Sequence, residues 1–262
     1  MAKVQSELRT IKYYFKDIAT KDNEKLVIEP SKSISKPRIR IVNAGCFEVA
    51  DSLVSNDVVL HNFANNKCQG GPCSKFTEDG RFISSQEWSN TQEDQLVRRY
   101  RANILLPRAL YPICVDNTPD SEALLYSQCG GIICDVITIP ALQDPNYMKS
   151  SQRQGASLDA PISRVAKGNP CQTMINRIKL ILAVCAMHNK ILITGLWGCG
   201  AFGGKPKDLV ELWEEALSDS KISKPSEIIF AIKIDRASSK WGTFDDMEKI
   251  ICKFSSTEIL KL

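Results

Sequence analysis

A chain of 262 residues, 43% apolar and 24% charged, is long enough to bury one sizeable core and has the composition of an ordinary globular α/β domain. Its 34 basic and 30 acidic residues leave a formal charge of +4, a balance that argues against nucleic acid or a membrane surface as partner. No apolar stretch approaches the roughly 20 residues of a bilayer span, and the charge-dotted first 19 residues lack a signal-peptide profile, so a cytoplasmic or nuclear location is expected.

In chain order, Leu8, Ile11, Phe15 and Ile18 recur at helical spacing and predict an amphipathic helix over residues 4–18. A polar linker over 20–36 follows, so residues 1–36 are expected to be a helix and linker, and 37–262 the folded domain. Within the domain the pattern alternates. A strand is predicted over 39–42, a helix over 47–54, a strand over 58–64 and a helix from Gln92 to Arg99. A long buried strand over 132–141 precedes a helix over 171–188, whose apolar side carries Ile175, Ile178, Ile181, Leu182 and Cys185. A strand over 190–194, a helix over 207–217, a strand over 228–233 and a helix over 244–254 complete the chain. Strands alternating with helices imply a largely parallel sheet covered on both faces, with ligands bound beyond the carboxyl ends of the strands.

Ten cysteines occur without a CxxC pair, and only His61 and His188 accompany them, so no metal site is expected. Cys134, Cys185 and Cys252 sit in apolar runs and read as small buried hydrophobes. No partner for either histidine is identifiable along the chain, and both read as structural.

Two glycine-bearing segments follow predicted strands. Gly195-Leu196-Trp197-Gly198-Cys199-Gly200-Ala201-Phe202-Gly203-Gly204 separates a strand from a helix. Glycines at alternate positions let backbone N–H groups turn inward toward a diphosphate, and Phe202 can stack on a ribose or base. The other is Asn62-Phe63-Ala64-Asn65, then Gly70-Gly71, then Gln92-Glu93-Asp94. An Asn65 amide both donates to and accepts from sugar hydroxyls. Acids in a first helical turn, like Glu93 and Asp94, are also what capping and the helix dipole favour. No GxxxxGK[ST] motif occurs, which disfavours a P-loop enzyme.

Together these motifs resemble the microbial-type poly(ADP-ribose) glycohydrolases, a branch of the macrodomain superfamily. The resemblance covers about 37–233 and is most specific at Trp-Gly-Cys-Gly-Ala-Phe-Gly, residues 197–203. It implies a three-layer α/β/α macrodomain with a mixed, largely parallel sheet, acting as an ADP-ribosyl hydrolase without cofactor or metal. By resemblance, Asn65 holds the distal ribose, and Gly70 and Gly71 form a first phosphate-facing loop. Gly198, Cys199, Gly200, Ala201, Phe202 and Gly203 form the second, with Phe202 against the ribose. Gln92, Glu93 and Asp94 fall on the family's Gln-Glu-Glu signature, with Glu93 positioning ribose hydroxyls and Asp94 acting as the catalytic acid or orienting the nucleophilic water. Three departures stand out. Pro72 replaces a third glycine, residues 72–91 lengthen the spacer, and Asp94 is one methylene shorter than the family's Glu. The spacer also holds a second Gln-Glu pair, Gln86-Glu87, but Leu96, Arg98 and Arg99 align the helix after Gln92 with the family. The acids Glu78, Asp79 and Glu87 suit a guanidinium, so mono-ADP-ribosyl-arginine is the expected substrate. The alternatives are a poly(ADP-ribose) glycohydrolase and a reader that binds ADP-ribose without turnover. The expected partners are ADP-ribose and ADP-ribosylated protein, and the chain is expected to be a monomer.

Overall fold

The structure, a computed structural model, describes residues 9–19, 36–53, 57–66, 74–76, 82–85, 91–93, 95–96, 110, 113–114, 122–128, 134–142, 170–199, 202, 204–233 and 257–259. The elements are β1 (Arg9–Tyr14), α1 (Phe15–Ala19), β2 (Arg38–Val42), α2 (Cys46–Ser52), β3 (Val58–Ala64), β4 (Ser74–Phe76), β5 (Phe82–Ser85), β6 (Ala123–Gln128), β7 (Asp135–Pro140), α3 (Pro170–Met187), β8 (Ile191–Thr194), α4 (Pro206–Ser218), β9 (Glu227–Ala231) and β10 (Thr257–Ile259). Eight strands form one sheet in the order β1-β6-β7-β3-β8-β9-β2-β10, and β4 and β5 form a separate antiparallel ribbon. From β7 to β10 every neighbouring pair is parallel, while β6 pairs antiparallel with both β7 and β1. This is the mixed, largely parallel sheet expected.

The strands alternate between two apolar layers. Ile39, Ile41, Val59, Ile137, Leu192 and Phe230 face the cluster that contains α3 and α4. Leu60, Val136, Ile193, Ile229 and Ala231 face a second cluster with α2, Leu96 and Ile113. Burial on both faces is why the inner strands read as unbroken apolar runs. Helix α3 is apolar around most of its circumference, with Ile175, Ile178, Leu180, Ile181, Leu182, Val184 and Cys185 all buried. It lies among the sheet, α1 and α4, so little of it faces solvent. A Schellman motif ends it. Asn189 adopts φ 53°, its N–H reaching Ala186 O (3.0 Å), while Lys190 N–H reaches Cys185 O (2.9 Å). Helix α4 begins with Pro206 after the cap residue Lys205, where a missing N–H costs nothing.

A buried ion pair joins α3 to the sheet. Arg177 and Glu122 are 1% and 0% exposed, and Arg177 Nη1 also donates to Pro140 O at the end of β7 (2.9 Å). Burial raises the Glu122 carboxyl pKa and the Arg177 charge opposes that rise.

The expected N-terminal helix is corrected. Residues 9–14 are a strand, with α1 a single turn or so after it, rather than one helix over 4–18. Six residues of β1 pair with β6, from Arg9↔Gln128 to Tyr14↔Ala123. The edge of β6 offers this segment a complete ladder, whereas a lone helix would satisfy one apolar stripe only. The sheet therefore takes in residues ahead of Pro37. Tyr13 Oη bonds His188 Nε2 (2.7 Å), and Tyr126 stacks on the same imidazole (3.9 Å, 8°). The predicted helix over 244–254 lies outside the described residues.

Candidate functional site

Strands β3 and β8 pair through Val58↔Ile191, Val59↔Leu192 and Leu60↔Ile193, and then part. Beyond that point β3 stays with β7 as far as Ala64↔Pro140, and β8 stays with β9 as far as Thr194↔Phe230. The two carboxyl ends diverge, and such a divergence is the crevice in which open α/β sheets bind ligands.

The split exposes main-chain groups of β3 that a longer β8 would have paired. Gln92 takes them. Its Nε2 donates to His61 O (2.8 Å) and its Oε1 accepts from Phe63 N–H (3.0 Å), so one amide imitates a strand partner. The next residue reinforces the attachment. Glu93 is 2% exposed; its Oε2 accepts from Asn65 N–H (2.8 Å) and its Oε1 from Asn62 Nδ2 (3.3 Å). Asn62 Nδ2 also reaches Thr138 Oγ1 on β7 (3.3 Å). Gln95 N–H bonds Thr91 O (3.1 Å), which starts the helical turn from which both side chains project. The Gln92-Glu93 pair thus clips a helix start onto the end of β3 and sets the backbone of Asn65.

The loop after β8 forms the other wall. Gly195 has no room for a side chain, because a Cβ there would lie 2.7 Å from Ala231 O and 3.4 Å from the Phe63 ring. Trp197 N–H folds back to Gly195 O (2.8 Å), Cys199 N–H to Leu196 O (3.1 Å), and Gly204 N–H to Gly198 O (3.0 Å). Gly198 takes φ 81°, a conformation that favours glycine. Phe202 is half-buried and packs against the α3-side core.

At the root of the crevice lies His61, wholly buried. Its Nδ1 is 3.0 Å from Thr194 Oγ1, and its ring meets Phe63 and Trp197 edge-on at 5.0 and 4.9 Å. Burial drives its pKa down to about 3, with the Ile139 carbonyl weakly opposing, so the imidazole is neutral at physiological pH. The Cys46 thiol donates to Thr194 O (3.8 Å) and burial pushes its pKa up to about 12, so it packs as a neutral group and is no nucleophile. Among the described residues no cluster of His, Cys, Asp and Glu is arranged to hold a metal.

The structure brings Asn65, Gln92 and Glu93 together at the end of β3, and Gly198, Cys199 and Phe202 into the loop after β8. Asp94, Gly70, Gly71, Gly200, Ala201 and Gly203 lie outside the described residues, as do Glu78, Asp79 and Glu87. The spacer over 72–91 contains the β4–β5 ribbon, which the sequence reading missed. That reading quoted Asn62 within its motif without giving it a role, passed over Thr194, and gave His61 no partner. The available signal was the polar His61-Asn62 pair inside an otherwise apolar strand.

The fold is that of a three-layer α/β protein whose parallel strands end together on one side of the sheet. No family model matches the chain, and no curated protein matches it. Solved structures do. A poly(ADP-ribose) glycohydrolase from Deinococcus radiodurans, in complex with ADP-ribose, superposes with a TM-score of 0.60 at 16% identity, covering 92% of this chain and 94% of that one. A second crystal form of that complex gives 0.59 at 19% identity, covering 93% and 94%. The glycohydrolase from Thermomonospora curvata gives 0.51 at 15% identity, covering 93% and 85%. The chain therefore has the macrodomain-type fold of these glycohydrolases.

Proposed function

We propose that this chain binds ADP-ribose in the crevice between β3 and β8 and hydrolyses the glycosidic bond that links it to a protein. The observation that carries the reading is the convergence of two walls on one crevice. One is the Asn65 end of β3, held by Gln92 and Glu93, and the other is the glycine loop after β8. Solved structures of the same fold hold ADP-ribose.

In this reading Asn65 holds the distal ribose, while Gly70, Gly71 and residues 198–203 present backbone N–H groups to the diphosphate, with Phe202 against the ribose. Positioning supplies much of the rate, because the reacting carbon is fixed at both ends of its ligand. The C1″–leaving-group bond breaks with oxocarbenium character, a proton passes to the departing side chain, and water adds its hydroxyl to C1″. Asp94 is the acid that gives that proton, and its carboxylate takes back the proton that the water loses as it adds. The buried Glu93 carboxylate acts from behind, through the Asn65 backbone and Asn62. We further propose an arginine acceptor, on the strength of the acidic spacer. Asp94 in place of Glu keeps a turnover-free reader as the second reading.

The deciding experiment incubates the protein with arginine-, serine-, glutamate- and poly-ADP-ribosylated substrates and measures free ADP-ribose. Release, fastest from arginine, is the expected result. Tight ADP-ribose binding without release from any substrate makes the protein a reader. No binding at millimolar ADP-ribose overturns the whole reading.

A further inference from the structure

One side chain crosses the gap where β3 and β8 part. His61 belongs to β3, and its carbonyl is held by Gln92. Its ring bonds the hydroxyl of Thr194, the last residue of β8, and lies edge-on against Trp197, three residues further along in the glycine loop itself. These contacts replace, with side chains, the backbone ladder that ended at Leu60↔Ile193. His61, Thr194 and Trp197 are each 0% exposed. A hydrogen bond in such surroundings is strengthened by the low dielectric, and breaking it strands both partners. The arrangement is also costly. Trp197 Nε1 makes no hydrogen bond among the described residues, where an apolar side chain would pack without that penalty.

We propose that His61 is a positioning residue for ADP-ribose. It sets the glycine loop over 195–204 relative to the Asn65 end of β3, and so lets the diphosphate and the distal ribose be held together. This rests on the functional reading above and names a determinant of the same site. The ring acts through Thr194 and Trp197, touches no substrate, and remains neutral, so it takes no part in proton transfer.

Three variants test it: His61→Leu, which keeps bulk and removes both ring nitrogens; Thr194→Val, which removes the hydroxyl alone; and Thr194→Ser, which restores it. Hydrogen exchange in the ligand-free protein should show amides of 195–204 exchanging about 10-fold faster in the first two, with β2 and β9 amides unchanged. ADP-ribose affinity by calorimetry should fall about 10-fold in each, the worth of one net hydrogen bond. The double variant should be no weaker than either single one, and Thr194→Ser should bind like the parent. Parent-like loop exchange in both variants, additive losses, or a Thr194→Ser protein as impaired as Thr194→Val each overturns the proposal. Should His61→Leu fail to fold, the Thr194 pair decides. Should the parent fail to bind ADP-ribose, the functional reading falls, and the exchange data still decide whether His61 positions the loop.

Discussion

Acid should weaken this fold through His61 in a way that can be isolated. The imidazole titrates at about 3 in the native state against an ordinary value of 6.5, because burial disfavours the charged ring. The unfolded chain therefore binds a proton below pH 6.5 that the native state refuses until about pH 3. The stability is fully present above 6.5 and is lost as pH falls through that window. The slope is about 1.4 kcal/mol per pH unit, so lowering pH from 6 to 4 removes about 3 kcal/mol, a large part of a typical 5–15 kcal/mol total. His188 contributes in the same direction, since burial lowers its pKa, against the pull of Asp135 and with that of Lys190. Comparing the parent with His61→Gln cancels that contribution and those of all carboxylates. Urea unfolding at pH 7, 6, 5 and 4 should show the parent's stability converging on the variant's at about 1.4 kcal/mol per unit below pH 6.5. Parallel pH profiles for the two proteins would refute the burial argument.

Four further outcomes follow from the geometry. Gln92→Leu should destabilise by about 2–4 kcal/mol in chemical denaturation, since it leaves His61 O and Phe63 N–H without their partner, and ADP-ribose affinity should fall with it. Gly195→Ala should lower stability by about 1–3 kcal/mol and weaken ligand binding, because the new methyl meets the rigid Ala231 carbonyl at 2.7 Å. Arg177→Met should cost about 3–5 kcal/mol by leaving Glu122 buried and unpaired, and adding Glu122→Leu should recover most of that loss in thermal unfolding. Asp94→Asn should reduce ADP-ribose release about 10²–10⁴-fold while calorimetry shows near-parent affinity for free ADP-ribose.

Much of the central sheet was legible along the chain. Residues 58–64 and 191–194 are short, mostly apolar runs followed by Asn65 and Gly195, and parallel strands buried on both faces leave that signature. Helix α3 was equally plain, because its length and apolar content exceed what a strand carries. The glycine loop was legible for a different reason: its conformation is a local backbone property, and Gly198 at φ 81° shows that need directly. Strand β1 was misread because Leu8, Ile11, Phe15 and Ile18 also fit a helical period, and only the open edge of β6 selects the strand. β6 itself and the β4–β5 ribbon went unseen, being short segments with weak patterns of their own.

The residues of the crevice divide along the same line. Asn65, Gln92, Glu93 and the loop glycines were marked by motif, and the sequence by itself determined that such groups sit at strand ends and helix starts. Their working arrangement belongs to the tertiary structure alone. Glu93 reaches the Asn65 backbone across 28 positions, and His61 meets Thr194 across 133. Sequence periodicity reports which face of an element is apolar, since that face is repeated every few residues. It carries no record of where two strands cease to pair, and that divergence made the crevice, freed the β3 backbone for Gln92, and brought His61 against the root of the loop.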